Sequence, residues 1–332
     1  MLNGGKPASG RILVVRLGAL GDIVHTLPAV ASLKHSLPGG SVTWVIEPHW
    51  APLIEENPFV DRVVLLHRDT PSGLLASWRD LRATRYDFAV DFQGLLKSAL
   101  VASAARPKRL FGFHQSQVRE RAAALFYSDK TVSRSTHVVD KNLDLASAAG
   151  ASNLVRTFPL PPGRPESELP DGDFVLASPM AGWRAKQWPL DHYRTLAGLL
   201  RRELSVPLVL DGPVSVQPLL EQIAGVIPHT STLAGLIYAT RRAAAVVGVD
   251  SGPLHIAAAL GKPGIAIYGP TDPARNGPYG NSICVLRSAS AATRYKRGTS
   301  IDESMARITP HEVFEGLRSV LGNRYRSAGA LS

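Results

Sequence analysis

The sequence predicts an α/β protein built as two doubly wound, Rossmann-like domains, each a parallel sheet with helices packed on it. Three observations carry this reading. Short β-branched runs alternate with helically spaced apolar stretches along the chain; a proline-rich segment divides the alternation into two series; and 332 residues exceed what one hydrophobic core ordinarily fills. Parallel neighbours need crossover connections, which the intervening helices supply. Two such domains facing each other are expected to bind a ligand in the cleft between the carboxyl ends of their strands.

The first strand is 11–16, RILVVR, followed by the glycine turn Gly18-Ala-Leu-Gly21-Asp22 and a helix over 23–37. Strands follow at 41–46 and 62–66. A helix over 74–84 leads to a strand at 86–91, and Gln93-Gly94 opens a helix over 95–105. Between Thr157 and Asp173 the run FPLPPGRPESELPDGD can sustain neither helix nor sheet. The second series places strands at 174–177, 207–210, 245–248 and 264–268, with helices at 192–202, 216–224, 232–239 and 253–260. Residues 310–321 read as a capped helix stopped by Gly322, with RYRSAGALS as a loose tail; MLNGGKPASGR reads as another at the start. The domain boundaries that follow are 1–160, a linker at 161–172, 173–309, and a terminal helix and tail at 310–332.

Apolar residues make up 45% and charged residues 19%, a folded composition rather than a disordered one. The single cysteine, Cys284, excludes an internal disulfide and a thiolate metal cluster, which fits the reducing cytoplasm. No apolar run approaches the roughly 18 residues of a membrane-spanning helix, so membrane contact is expected to be peripheral. The net charge of +10 suits an anionic partner, and 19 Lys/Arg against 13 Asp/Glu in residues 1–160 leave both halves basic. The basic residues are scattered, without an aromatic-flanked stripe or zinc-finger spacing, which speaks against nucleic acid.

Asp22 sits at the carboxyl edge of the first sheet, where sites of such sheets form, and His25 lies one turn on. Spacing alone favours a helix cap for Asp22. A Gly-x-Gly-x-x-Gly fingerprint is missing, which disfavours a dinucleotide enzyme. Asp250-Ser251-Gly252 ends a strand and opens a helix, so its amides and dipole form a candidate diphosphate site, with His255 one turn further. The loop Ala181-Gly182-Trp183-Arg184-Ala185-Lys186 follows the first strand of the second series. For Lys97 and Arg119 a solvated helix face is the plain reading. No DxD motif flanked by strand residues supplies a divalent-metal site, and neither metal nor cofactor is expected.

The runs RLGALGDIVHTLPAVASLK, TWVIE and DFQGLLKSALVA resemble the lipopolysaccharide heptosyltransferases of glycosyltransferase family 9, the heptosyltransferase I branch above all. So do VDSGPLHIAAALGKP, IYGPTDP and the loop ending in Lys-x-Trp-Pro, and the likeness extends from residue 11 to about 321. The resemblance implies the GT-B fold and inverting, metal-independent transfer of L-glycero-D-manno-heptose from ADP-heptose to Kdo of Kdo-lipid A. That reaction belongs to inner-core synthesis at the cytoplasmic face of the inner membrane. It implies Asp22 as general base; Gly21, His25, Gln93, Lys97 and Arg119 on the acceptor side; and Lys186, Asp250, Ser251, Gly252, His255, Ala181 and Gly182 on the donor side. The chain departs from the pattern at Ala181 and Gly182, where hydroxyl residues are usual. The family's ribose-binding glutamate also has no counterpart among Val214, Ser215, Val216 and Gln217, which leaves nucleotide choice open. A heptosyltransferase II-type acceptor, a sugar-nucleotide epimerase of the same fold and an inert nucleotide- or lipid-binding relative remain as alternatives.

Overall fold

The computed structural model of the chain describes residues 10–294 and 298–329. The chain divides into two compact units, Met1–Pro161 and Pro162–Ser332. The first contains β1 (Arg11–Val15), β2 (Ser41–Ile46), β3 (Arg62–Leu65), β4 (Phe88–Asp91), β5 (Arg109–Phe113) and β6 (Asp129–Thr131) in the order β3-β2-β1-β4-β5-β6. The second contains β7 (Val175–Ser178), β8 (Leu208–Gly212), β9 (Ile227–Thr230), β10 (Ala245–Val249), β11 (Gly264–Tyr268) and β12 (Ile283–Arg287) in the order β12-β11-β10-β7-β8-β9. Every pairing is parallel. Counted from its own first strand, each sheet therefore has the order 3-2-1-4-5-6.

That order puts a topological switch point between β1 and β4 in the first unit and between β7 and β10 in the second, where the chain leaves the sheet in opposite directions and opens a crevice. The central strands read as unbroken apolar runs because both of their faces are covered. Ile12 to Val15 are fully buried, as are all five residues of β10. Helices Pro71–Arg82 and Leu96–Ala104 pack Leu81, Ala99 and Ala102 onto Leu13, Val15, Val45 and Val64. In the second unit Trp188, Tyr193 and Phe314 share a core with Val175, Leu210 and Val247. Among the described residues no helix is long and apolar enough to cross a membrane.

Several local expectations change. The helix at 23–37 is two helices, Leu20–Val24 and Leu27–Ser36, because Pro28 lacks an amide and its ring clashes with the preceding turn. The helix at 216–224 shrinks to Gln217–Glu221 behind a 3-10 turn, with Pro218 again at the start. Gly322 does not stop the last helix, which runs Pro310–Gly329; an interior glycine costs about 1 kcal/mol relative to alanine but does not forbid helix. The loose tail assigned from residue 324 is thus helical as far as Gly329, and residues 330–332 lie outside the described residues. So do residues 1–9 of the N-terminal tail and residues 295–297. The structure adds β5, β6, β9, β12 and helix Val138–Ala148. Three of those strands are edge or near-edge elements with weak patterns: β6 is Asp-Lys-Thr, β9 contains Pro228, and β12 is half exposed. The stretch 157–173 carries neither helix nor strand.

Candidate functional site

At the first switch point the loop after β1 carries Asp22. Its side chain is 50% exposed, and one carboxylate oxygen meets the Arg16 guanidinium at 2.8 Å. Asp22 is not a cap: Ala19 occupies that position and Asp22 lies in the first turn of helix Leu20–Val24. Arg16, buried at the end of β1, also donates to the Phe92 carbonyl at 2.5 Å, so one cation spans the two strands of the switch point and steadies Asp22. Gly21 sits in the same turn, its carbonyl accepting from the His25 amide.

The Asp91-Phe-Gln93-Gly94 segment is a structural lock. Asp91 is fully buried and accepts from the Gln93 amide (2.9 Å), the Gly94 amide (3.3 Å), Ser98 Oγ (2.8 Å) and the Tyr127 hydroxyl (2.7 Å). Burial raises the Asp91 carboxyl above its ordinary range against the pull of those four donors. Burial and the facing Asp91 push the Tyr127 phenol far up, which keeps it a donor. Gly94 has φ +66°, where a side chain would be strained and would press on Val118. The result orients Gln93, whose Oε1 accepts from the Leu17 amide at 2.8 Å and ties the β4 turn to the β1 loop. Tyr127→Phe is expected to cost about 1–3 kcal/mol of stability by leaving a buried carboxylate short of one donor. Denaturant unfolding of the first unit measures it, with nucleotide affinity as an unaffected control.

Lys97 does not simply face solvent. Its Nζ lies 3.3 Å from Glu47 at the end of β2, and Glu47 also receives Arg68 at 3.1 Å. Arg119 is exposed on a non-helical loop, not on a helix face, beside Glu120, whose carboxylate accepts from the Leu96 amide at 2.7 Å. His25, expected on the acceptor side, is buried in this structure. It is 3% exposed, its ring stands edge-on to His137 at 5.7 Å, and its carbonyl accepts from Asn142. It packs helix Val138–Ala148 rather than lining an open surface. Arg16 and Glu47 were missed, although a charge directly after an apolar strand run marks both.

The second switch point gathers more of its expected residues. Asp250, following β10, is almost wholly buried; Lys186 Nζ meets one oxygen at 2.6 Å, and Asn276 Nδ2 (3.2 Å) and His255 Nε2 (3.7 Å) face the other. Burial works to raise the Asp250 carboxyl, but the facing His255 and the charge of Lys186 outweigh it and hold it well below the usual carboxylate range. Tyr268, whose hydroxyl donates to the Asn276 carbonyl at 3.2 Å, is held far above its ordinary value by burial and by Asp250. Lys186 Nζ also stands 4.5 Å from the Trp183 ring centre. The following Trp188 anchors this loop by donating to the Ile308 carbonyl at 2.9 Å.

Ser251 precedes helix Gly252–Ala259 in extended conformation, and its hydroxyl caps nothing: Oγ is buried without a partner. Pro253 has no amide, so the free first-turn donors are Gly252 and Leu254. Ser251 and Gly252 are half-exposed and can be reached. Ala181 and Gly182 form the open start of the Lys186 loop; Gly182 is exposed, and the Ala181 carbonyl accepts from Gln187 at 3.4 Å. Thr271, after β11, is a second buried hydroxyl without a partner and was missed, as were Asn276 and Tyr268. Among the described residues no three His, Cys, Asp or Glu side chains gather as a metal cluster would.

The first unit thus offers a half-exposed carboxylate steadied by an arginine, and the second offers a cation, a helix start and unsatisfied hydroxyls. The family model described as glycosyltransferase family 9 (heptosyltransferase) matches residues 74–305. Lipopolysaccharide heptosyltransferase 1 of Escherichia coli K12 is 30% identical over 313 residues, covering 84% of this chain and 93% of that protein. Lipopolysaccharide heptosyltransferase 2 of Salmonella typhimurium LT2 is 26% identical over 351 residues, covering 94% and 98%. The E. coli heptosyltransferase WaaC, solved with ADP, superposes with a TM-score of 0.76 at 26% identity, covering 93% of this chain and 99% of that one. Two parallel sheets of one strand order, and a family match spanning most of both units, make the chain a GT-B glycosyltransferase that belongs to family 9, the heptosyltransferases.

Proposed function

We propose that the chain transfers L-glycero-D-manno-heptose from ADP-heptose to the Kdo sugar of Kdo-lipid A, with inversion and without a metal or other cofactor, at the cytoplasmic face of the inner membrane. The observation that carries the donor half is Asp250, buried and bound to Lys186 at 2.6 Å beside the helix start at Ser251 and Gly252. Such a start attracts a diphosphate through its free amides and dipole. The E. coli protein solved with ADP supports that nucleotide, and the relatives' names support lipopolysaccharide core as the acceptor. Both heptosyltransferase 1 and 2 are among the relatives; the higher identity to the former favours Kdo.

In this reading Asp22 takes the proton of the acceptor hydroxyl as that oxygen bonds to C1 of the heptose. The bond from C1 to the diphosphate breaks on the opposite side, and ADP leaves with the electron pair. Lys186 and the helix amides then meet the charge that grows on the departing oxygen. Gly21, Gln93, Lys97 and Arg119 serve the acceptor, the last two through its carboxylate and phosphate charges.

Labelled ADP-heptose offered in parallel to Kdo-lipid A and heptosyl-Kdo-lipid A, in excess chelator, tests the whole reading by ADP release and product mass. Transfer to Kdo-lipid A alone supports it; transfer only to the heptosylated lipid gives the acceptor of the type II enzymes, and donor isomerisation without acceptor gives an epimerase. Ser251→Ala separates ligand binding from folding: removing a buried, unpartnered hydroxyl leaves the melting temperature unchanged or raised, whereas ADP affinity falls about 10-fold or more as a charged acceptor loses its donor. Calorimetric titration and thermal melts read the two effects separately.

A further inference from the structure

Three elements cover one face of the first unit's sheet. Helices Pro71–Arg82 and Leu96–Ala104 and the 3-10 turn Arg121–Leu125 turn Leu81, Ala99, Ala102, Ala123 and Ala124 into one core cluster. Each packs beside the next. The first helix is pinned to the end of β3 by Ser77, whose Oγ donates to the Leu65 carbonyl (3.0 Å) and accepts from the His67 amide (2.9 Å). With the inner sides held, helical spacing decides what points outward.

What points outward is apolar and basic. Leu74, Leu75 and Trp78 are 50%, 45% and 42% exposed, Leu100 is 49% exposed and Leu125 is 79% exposed. Single exposed leucines are ordinary, but five large apolar side chains on adjacent elements mark a contact surface. Around them stand Arg79, Arg82 and Arg121, and Arg82 lies over the Trp78 ring at 4.8 Å. None of the three arginines has an ion-pair partner among the described residues. Asp80, the acid on the first helix, is taken by Arg62. An indole and leucines interleaved with arginines match the chemistry of a bilayer interface: rings at headgroup depth, leucines toward the acyl boundary, cations on lipid phosphates.

We propose that this face of the first unit docks the enzyme on an anionic lipid bilayer. The proposal deepens the lipid-acceptor reading above and rests on it for its setting, because it names the surface that would bring the chain to a lipid-borne sugar. A second copy of the chain fits the face less well: an isologous contact would bring its three arginines toward their own counterparts, with Asp80 already taken by Arg62.

The test co-sediments the full chain with vesicles of phosphatidylcholine alone and of phosphatidylcholine mixed with phosphatidylglycerol, at low and high salt. Binding is expected only to the mixed vesicles, weakened by salt. It should fall about tenfold or more in Leu75→Glu/Trp78→Glu and in Arg79→Glu/Arg82→Glu, with melting temperature and ADP affinity retained. Val214→Glu, which removes an exposed apolar residue of the other unit, should bind like the wild type. Absence of vesicle binding, equal loss in Val214→Glu, or full binding by both double variants overturns the proposal. So does a wild-type dimer in sedimentation that the double variants dissociate, which would make a second copy the occupant. Transfer to a water-soluble, deacylated acceptor should be unchanged in the double variants. Vesicle binding through this face without any transfer would defeat the acceptor reading and leave the docking surface standing; transfer without vesicle binding would do the reverse.

Discussion

Asp22→Asn is expected to lower kcat by about 10²- to 10⁴-fold, with kcat/KM falling in step and ADP affinity unchanged. The substitution keeps size and polarity but removes the lone-pair basicity that accepts a proton. The geometry makes this a clean test. Asp22 caps no helix, sits half in solvent, and engages Arg16 through one oxygen, so its loss disturbs little packing. Arg16 would remain anchored on the Phe92 carbonyl. Steady-state ADP release alongside calorimetric ADP titration reads both quantities. Wild-type turnover in the variant would remove Asp22 from the chemistry, and a parallel loss of ADP affinity would mean that the first unit's loop acts on the donor instead.

Lys186→Ala should be costlier to the protein as a whole. It strips the cation from a carboxylate that is 4% exposed, and breaking such a buried pair from one side typically costs about 3–5 kcal/mol. The same change removes the charge proposed to receive the leaving diphosphate, so ADP affinity and kcat should both fall by at least about 10-fold. Lys186→Arg restores charge without the point geometry and should recover stability better than turnover. The pH dependence follows from the direction of the Asp250 shift. A carboxyl held below its unfolded value contributes stability that is fully present above pH about 4 and is lost as the pH falls from there toward its folded value. Thermal melts of the second unit between neutral and acid pH should therefore show an acid slope that Asp250→Asn lacks.

The donor half of the site was more legible in the residue string than the acceptor half. Asp250, Ser251, Gly252 and His255 fall within six consecutive positions, and a strand followed by a helix places them together without help from the rest of the chain. Acceptor-side residues are dispersed, and there local reading says less about their surroundings. His25 has the spacing of a site residue one turn past Asp22, yet helix Val138–Ala148 covers it. Arg119 reads as a charge on a solvated helix face, but it lies in a non-helical loop in which Glu120 accepts from the amide at the start of helix Leu96–Ala104. Lys97 reads as a solvated charge, and only the approach of Glu47 from β2 makes it a paired one.

Periodicity and punctuation were enough to establish two α/β series with their central strands, because a strand buried on both faces must be apolar along its whole length and a proline-rich run can join neither sheet. They could not establish partners distant along the chain. Lys186 meets Asp250 across 64 residues, Gln93 meets Leu17 across 76, and Tyr127 meets Asp91 across 36. Such pairs are decided by the order in which strands assemble, and with them go the setting of Asp250 by Lys186, the anchoring of Arg16 on the Phe92 carbonyl, and the sharing of one face by Trp78 and Leu125. A pattern that repeats every two or every 3.6 residues reports which side of an element is covered; it carries no record of which other element does the covering.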